Sequence, residues 1–157
     1  MGETSRPTLR PARSGEVGDL TSLMLRSLAH WGHDIAFPDL VDDLAREHAV
    51  TVDYVRRGEV WCLEDADTGV VGFYGLEPRE DDVDLTYMFL DPGSIGQGHG
   101  RRLWTHAVQR ARALDRPRLR ILSDPQAIGF YAAMGARLER RVDVADGFAL
   151  GLMWVDL

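Results

Sequence analysis

Three glycines in five residues, Gly96, Gly98 and Gly100 in the run Ile95-Gly96-Gln97-Gly98-His99-Gly100-Arg101, restrict this chain more than any other stretch. Val83 to Leu90, just before them, alternates as a strand does. Leu103, Trp104, Ala107, Val108, Ala111 and Leu114, just after, recur at helical spacing until Arg116-Pro117 ends the run. A strand that turns through glycines into a helix aims unpaired backbone N–H groups and the positive helix end at one point, which suits a phosphate or pyrophosphate. Arg101 and Arg102 stand at the start of that helix, and seven arginines lie between Arg101 and Arg120 in a chain with no lysine. Taken alone, the glycines fit a bare tight turn equally well. A P-loop needs Lys followed by Ser or Thr where Arg101-Arg102 stands, and the dinucleotide fingerprint needs its third glycine where Arg101 stands.

The remaining periodicities predict the rest of the fold. Thr8-Leu9-Arg10 reads as a short strand. Ser14 reads as a helix cap with Glu16 in the first turn, and Val17, Leu20, Met24, Leu28 and Trp31 step along one face to Gly32. Phe37-Pro38-Asp39 restarts a helix through His48, and Thr51 caps a short one that Gly58 stops. Val60 to Leu63 and Val70 to Leu76 are strands about the Asp67-Thr68-Gly69 turn. Leu119 to Leu122 is a further strand, Pro125 to Met134 a short helix, and Ala136 to Val144 and Phe148 to Val155 a final pair around Asp146-Gly147. This order predicts a mixed α/β (α+β) fold, a sheet covered by helices on both faces, in one domain over residues 1–157 with residues 1–7 disordered.

Composition narrows the function. The formal net charge of -7 lacks the basic surplus of general nucleic-acid binders. Cys62 is the only cysteine, so no intrachain disulfide forms and a reducing, cytoplasmic setting is expected. No run approaches the ~20 apolar residues of a membrane span. His30, His33 and Asp34 lack a recognisable metal-ligand pattern, so no metal is expected.

Two motifs in order then point to a family. Met88-Phe89-Leu90-Asp91-Pro92 with Ile95 to Leu103 is similar to the strand, turn and helix that bind acetyl-CoA in the GNAT superfamily of N-acetyltransferases. Further on, Gln126-Ala127-Ile128-Gly129-Phe130-Tyr131-Ala132-Ala133-Met134-Gly135 resembles that family's second motif, a small residue, Phe-Tyr, three residues and glycine. The resemblance implies a mostly antiparallel central sheet with a splayed strand pair. It implies that Met88, Phe89 and Leu90 hold the pantetheine arm, and that Gly96, Gln97, Gly98, His99, Gly100 and Arg101 take the phosphates, with Gln126 also at the cofactor. Ile95 departs from the usual Gln or Arg, leaving Arg101 or Arg102 to supply charge, and Gln126 stands where Asn is common.

The implied activity is transfer of the acetyl group of acetyl-CoA directly to a primary amine. Its alternative is a non-catalytic acyl-CoA-binding sensor or interaction module. By resemblance Tyr131 points at the thioester sulfur and serves as acid; its alternative is an aromatic core residue spaced with Ala127 and Met134. A backbone N–H near Phe89 is the expected donor to the thioester oxygen. For the base, Asp84, Glu77 and His30 are candidates. Strand alternation sets Asp84 with Thr86 and Met88, either toward the acceptor or as a solvated charge. Family layout places His30 and Trp31 beside the acceptor, against readings in which Trp31 packs in the core and His30 and His33 cap the helix. His99 and His106 are expected exposed or near the cofactor, and Cys62 in the core. The acidic chain favours a cationic amine acceptor, and a homodimer is compatible with its size.

Overall fold

The computed structural model of the protein describes residues 6–157, so the disorder expected at residues 1–7 falls, for residues 1–5, outside the described residues. Seven strands form one sheet in the order β1-β2-β3-β4-β5-β7-β6. They are β1 (Thr8–Pro11), β2 (Val60–Asp65), β3 (Gly69–Pro78), β4 (Val83–Leu90), β5 (Arg118–Ser123), β6 (Arg137–Ala145) and β7 (Phe148–Asp156). Six α-helices accompany them: α1 (Val17–His30), α2 (His33–Ala36), α3 (Pro38–Glu47), α4 (Val52–Arg56), α5 (His99–Arg112) and α6 (Ile128–Ala133). The mixed α/β class and the mostly antiparallel sheet expected from the sequence are present. Among the described residues no helix is long and apolar enough to cross a membrane. The chain divides into two compact units, Met1–Gly75 with Tyr87–Leu103, and Leu76–Thr86 with Trp104–Leu157.

In the first unit the helical stripe read from the sequence becomes core. Leu20, Leu23 and Met24 of α1 pack with Val50, Tyr54, Val55, Val60, Cys62, Phe73 and Tyr87. Trp31, which continued that stripe, does not join them, because α1 ends at His30 and leaves Trp31 43% exposed. The start of α1 also differs from expectation. Ser14 lies in a 3-10 turn (Ser14–Glu16), and the Glu16 carboxylate accepts from the Arg13 N–H at 2.8 Å. Thr51 caps α4 as predicted, its hydroxyl oxygen accepting from the Tyr54 N–H at 3.1 Å. The β2–β3 hairpin is antiparallel, and its turn is closed by the Asp65 carboxylate, which accepts from the amides of Asp67 and Thr68. The buried Tyr87 hydroxyl donates to the His48 carbonyl at 2.9 Å, fastening the segment after α3 to β4.

In the second unit β5 pairs antiparallel with β7, and β7 with β6, whose register shifts twice. The parallel partnership of β4 with β5 consists of Val83↔Leu119 and Asp84↔Arg120, and Leu85 and Thr86 run on without a β5 partner. The alternation predicted for β4 is visible in its burial, with Val83, Leu85 and Tyr87 inside and Asp84, Thr86 and Met88 half-buried.

Candidate functional site

The glycine-rich turn belongs to the first unit. β4 delivers the chain to Asp91, whose N–H donates to the Val71 carbonyl of β3 at 2.8 Å. The Asp91 carboxylate then accepts from the Gly93 N–H at 3.3 Å and opens the 3-10 turn Pro92–Ser94. Gly96 and Gly98 take φ of +83° and +81°, in the left-handed region that L side chains avoid, and α5 begins at His99. A Cβ placed on either glycine would meet nothing within 4 Å, so it is the backbone conformation and not crowding that calls for glycine there. The first N–H groups of α5 have no acceptor within the helix. Glycines at positive φ that lead into a helix start are the kind of arrangement that suits an anion.

The structure separates the two arginines proposed to add charge. Arg102 is half-buried, and its guanidinium donates to the Pro7 carbonyl. Arg101 is exposed. Ile95 is 40% exposed and Gln97 donates to the Gly93 carbonyl at 3.4 Å. His99, expected exposed or near the cofactor, is buried at 9% exposure with its Nδ1 unpartnered.

Met88, Phe89 and Leu90 are half-buried at the end of β4, with the Phe89 ring 5.9 Å from that of Phe73. Gly72 in β3 lets this segment come close, since a Cβ there would lie 2.7 Å from Leu90 Cδ2 and 3.1 Å from the Phe89 carbonyl oxygen. His30 and Trp31 are both exposed at the end of α1, their rings edge to face at 4.8 Å. Arg26, one turn earlier, donates to Asp91 Oδ2 at 2.9 Å. A cavity of about 390 Å³ in this unit is walled by paired charges, Arg10 with Glu16 and Glu64, and none of the turn residues 96–101 lines it.

In the second unit Tyr131 of α6 is 7% exposed, its ring 5.5 Å from Trp104 and 5.3 Å from Phe130. Burial, reinforced by the nearby Asp124 carboxylate, pushes its phenol well above the ordinary tyrosine value, so it carries its proton throughout the working range. Gln126 is exposed in the turn before α6, its N–H donating to Asp124 Oδ1 at 2.8 Å. Asp84 accepts from Arg120 Nη1 at 3.0 Å and from the Thr86 hydroxyl at 3.3 Å, so it is a paired, half-buried carboxylate. Glu77 is half-buried. Cys62 is fully buried in β2, and burial raises its thiol to about 12, which leaves it inert as a nucleophile. No group of three or more His, Cys, Asp or Glu side chains that could hold a metal ion occurs among the described residues.

Sequence reasoning missed Gly72 and the Arg26–Asp91 pair. A glycine inside a strand run was a signal for the first. Nothing local signalled the second, because its partners are 65 residues apart.

Comparison with known proteins agrees with this geometry. A family model for the acetyltransferase (GNAT) domain matches residues 56–135, from the end of α4 to the glycine after α6. The chain belongs to the GNAT acetyltransferase family. Among solved structures, a GCN5-related N-acetyltransferase from Rhodopseudomonas palustris is similar with a TM-score of 0.80 at 19% identity, covering 100% of this chain and 99% of that one. The PaiA N-acetyltransferase from Thermoplasma acidophilum, solved in complex with coenzyme A, gives 0.78 at 16% identity over 98% and 100%. YncA from Salmonella typhimurium, solved with its cofactor acetyl-CoA, gives 0.70 at 17% identity over 97% and 94%. At these identities the likeness is one of fold. Comparison with curated protein sequences finds no match.

Proposed function

We propose that the protein is a cytoplasmic N-acetyltransferase, the whole chain acting as one acyltransferase domain that passes an acetyl group from acetyl-CoA directly to a primary amine. The observation that carries this reading is the turn itself, with two glycines at positive φ opening the start of α5 and family membership defined across the same residues. Acetyl-CoA supplies an acetyl thioester; everything else in the reaction falls to this chain. The amides of Gly96 to Arg101 and the exposed Arg101 guanidinium bind the pyrophosphate, and the backbone of Met88, Phe89 and Leu90 lines the pantetheine arm. Gln126 reaches the cofactor from the turn before α6, and His30 and Trp31 read the acceptor.

For the chemistry, the amine nitrogen forms a bond to the acetyl carbon as the carbon–sulfur bond breaks. The backbone N–H near Phe89 stabilises charge on the acetyl oxygen. Tyr131, held protonated by its burial, gives its proton to the departing sulfur, and Asp84 takes the proton that leaves the amine nitrogen, its carboxylate held by Arg120 and Thr86.

The test is a screen of cationic amines for thiol release from acetyl-CoA, followed by Tyr131→Phe with the best acceptor. This substitution deletes one oxygen and keeps the ring packed against Trp104. Turnover is expected to fall about tenfold or more with the acetyl-CoA dissociation constant within about twofold of wild type. Unchanged turnover removes Tyr131 from the chemistry. Tight acetyl-CoA binding with no amine accelerating thiol release makes the protein a cofactor-binding module instead of an enzyme.

A further inference from the structure

The carboxylate of Asp91 poses an electrostatic problem for the site. It sits five residues before Gly96, on the segment that leads into an anion receptor, where an uncompensated negative charge opposes a bound pyrophosphate. It is also fixed in place from two directions. Its own N–H is donated to the Val71 carbonyl, and its Oδ1 accepts from Gly93 to shape the 3-10 turn. Arg26 reaches from α1 to the other oxygen, Oδ2, at 2.9 Å. Neither side chain is deeply buried, at 52% and 33% exposure, so the pair adds little to folding stability by itself. Its position gives it another consequence.

We propose that Arg26 is a positioning residue for the cofactor: by pairing with Asp91 it cancels the negative charge beside the phosphate cradle and ties α1 to the turn that forms it. This rests on the reading that acetyl-CoA binds at that turn. Two links follow from the same contact. The charge on the approach to the cradle is neutral only while Arg26 is in place. The last turn of α1, which carries His30 one helical turn after Arg26, is tethered to the residues that introduce Gly96 to Arg101.

The experiment is a calorimetric titration of acetyl-CoA into wild type, R26A, R26K, D91N and the double variant R26A/D91N, at low and at high salt, with the melting temperature of each free protein measured alongside. Asn at position 91 keeps an oxygen for the Gly93 amide and removes only the charge. R26A is expected to raise the dissociation constant about three- to tenfold at low salt, with less effect at high salt, as screening predicts. R26K and R26A/D91N are both expected to return it to within about twofold of wild type, while the melting temperatures stay close together. A loss in R26A that D91N does not relieve overturns the proposal, as does R26A binding as wild type does. So does a loss that appears only as a lowered melting temperature. If wild type itself fails to bind acetyl-CoA, the underlying reading falls first, and the wild-type arm shows that outcome separately.

Discussion

Gly98→Ala separates the cost of the turn's shape to folding from its value to binding. At φ +81° an added Cβ costs roughly 1–2 kcal/mol of backbone strain, of which the reduced freedom of the unfolded chain offsets about 0.4–1 kcal/mol. No steric term is added in the free protein, because a Cβ at this position meets nothing within 4 Å. The folded protein should therefore lose about 1 kcal/mol, which for a chain of this length lowers the melting temperature by about 2–4 °C. Binding should suffer more. The strain pushes the turn away from the conformation that aims its amides, and losing one hydrogen bond to a charged group costs about 1.5–3 kcal/mol. The dissociation constant for acetyl-CoA should then rise by about ten- to a hundredfold. Calorimetric titration and thermal unfolding of the same preparations read the two effects apart, with Gly18→Ala as control, since Gly18 lies in α1 at ordinary helical φ with open space around it. That control should bind as wild type does and be equally or slightly more stable. A Gly98→Ala protein that melts lower yet binds acetyl-CoA with unchanged affinity would refute the assignment of the turn as the phosphate receptor.

Two further outcomes follow from the charged groups. Glu16 is held below the usual carboxylate range, first by its hydrogen bond from Arg10, so its contribution to stability is present above the ordinary value of 4.5 and is lost as pH falls through its lowered one. Thermal unfolding between about pH 6 and about pH 3 should show a smaller acid-induced drop for Glu16→Gln than for wild type, and equal drops would contradict this. Asp84→Asn should lower kcat by about a hundredfold while the dissociation constant for acetyl-CoA stays within about twofold of wild type, as loss of a base does. Unchanged turnover with a lowered melting temperature would reduce Asp84 to a structural partner of Arg120.

Much of the fold was legible because its long elements carry strong periods. The β4 alternation and the apolar stripes of α1 and α5 each correspond to an observed element, and Thr51 caps α4 as its chemistry predicts. The failures have physical causes. α2 is a single turn, too short to repeat a pattern. Trp31 keeps the phase of α1 but lies one residue past its end, so periodicity assigned to the core a ring that is 43% exposed. Of the two readings of His99, exposed or near the cofactor, burial at the first residue of α5 removes the exposed one. The glycines and arginines of the turn were visible in the sequence, but which arginine remains available was not. The Pro7 carbonyl that engages Arg102 is 95 residues away, a distance at which local patterns carry no information.

The guest of the Gly96 to Arg101 turn decides what the protein does, and calorimetric titration of the wild-type protein with acetyl-CoA, beside ATP and NAD, identifies it most directly. Saturable binding of acetyl-CoA, with neither ATP nor NAD binding comparably, is the predicted result. Absence of acetyl-CoA binding, or equal binding of all three, would contradict the account.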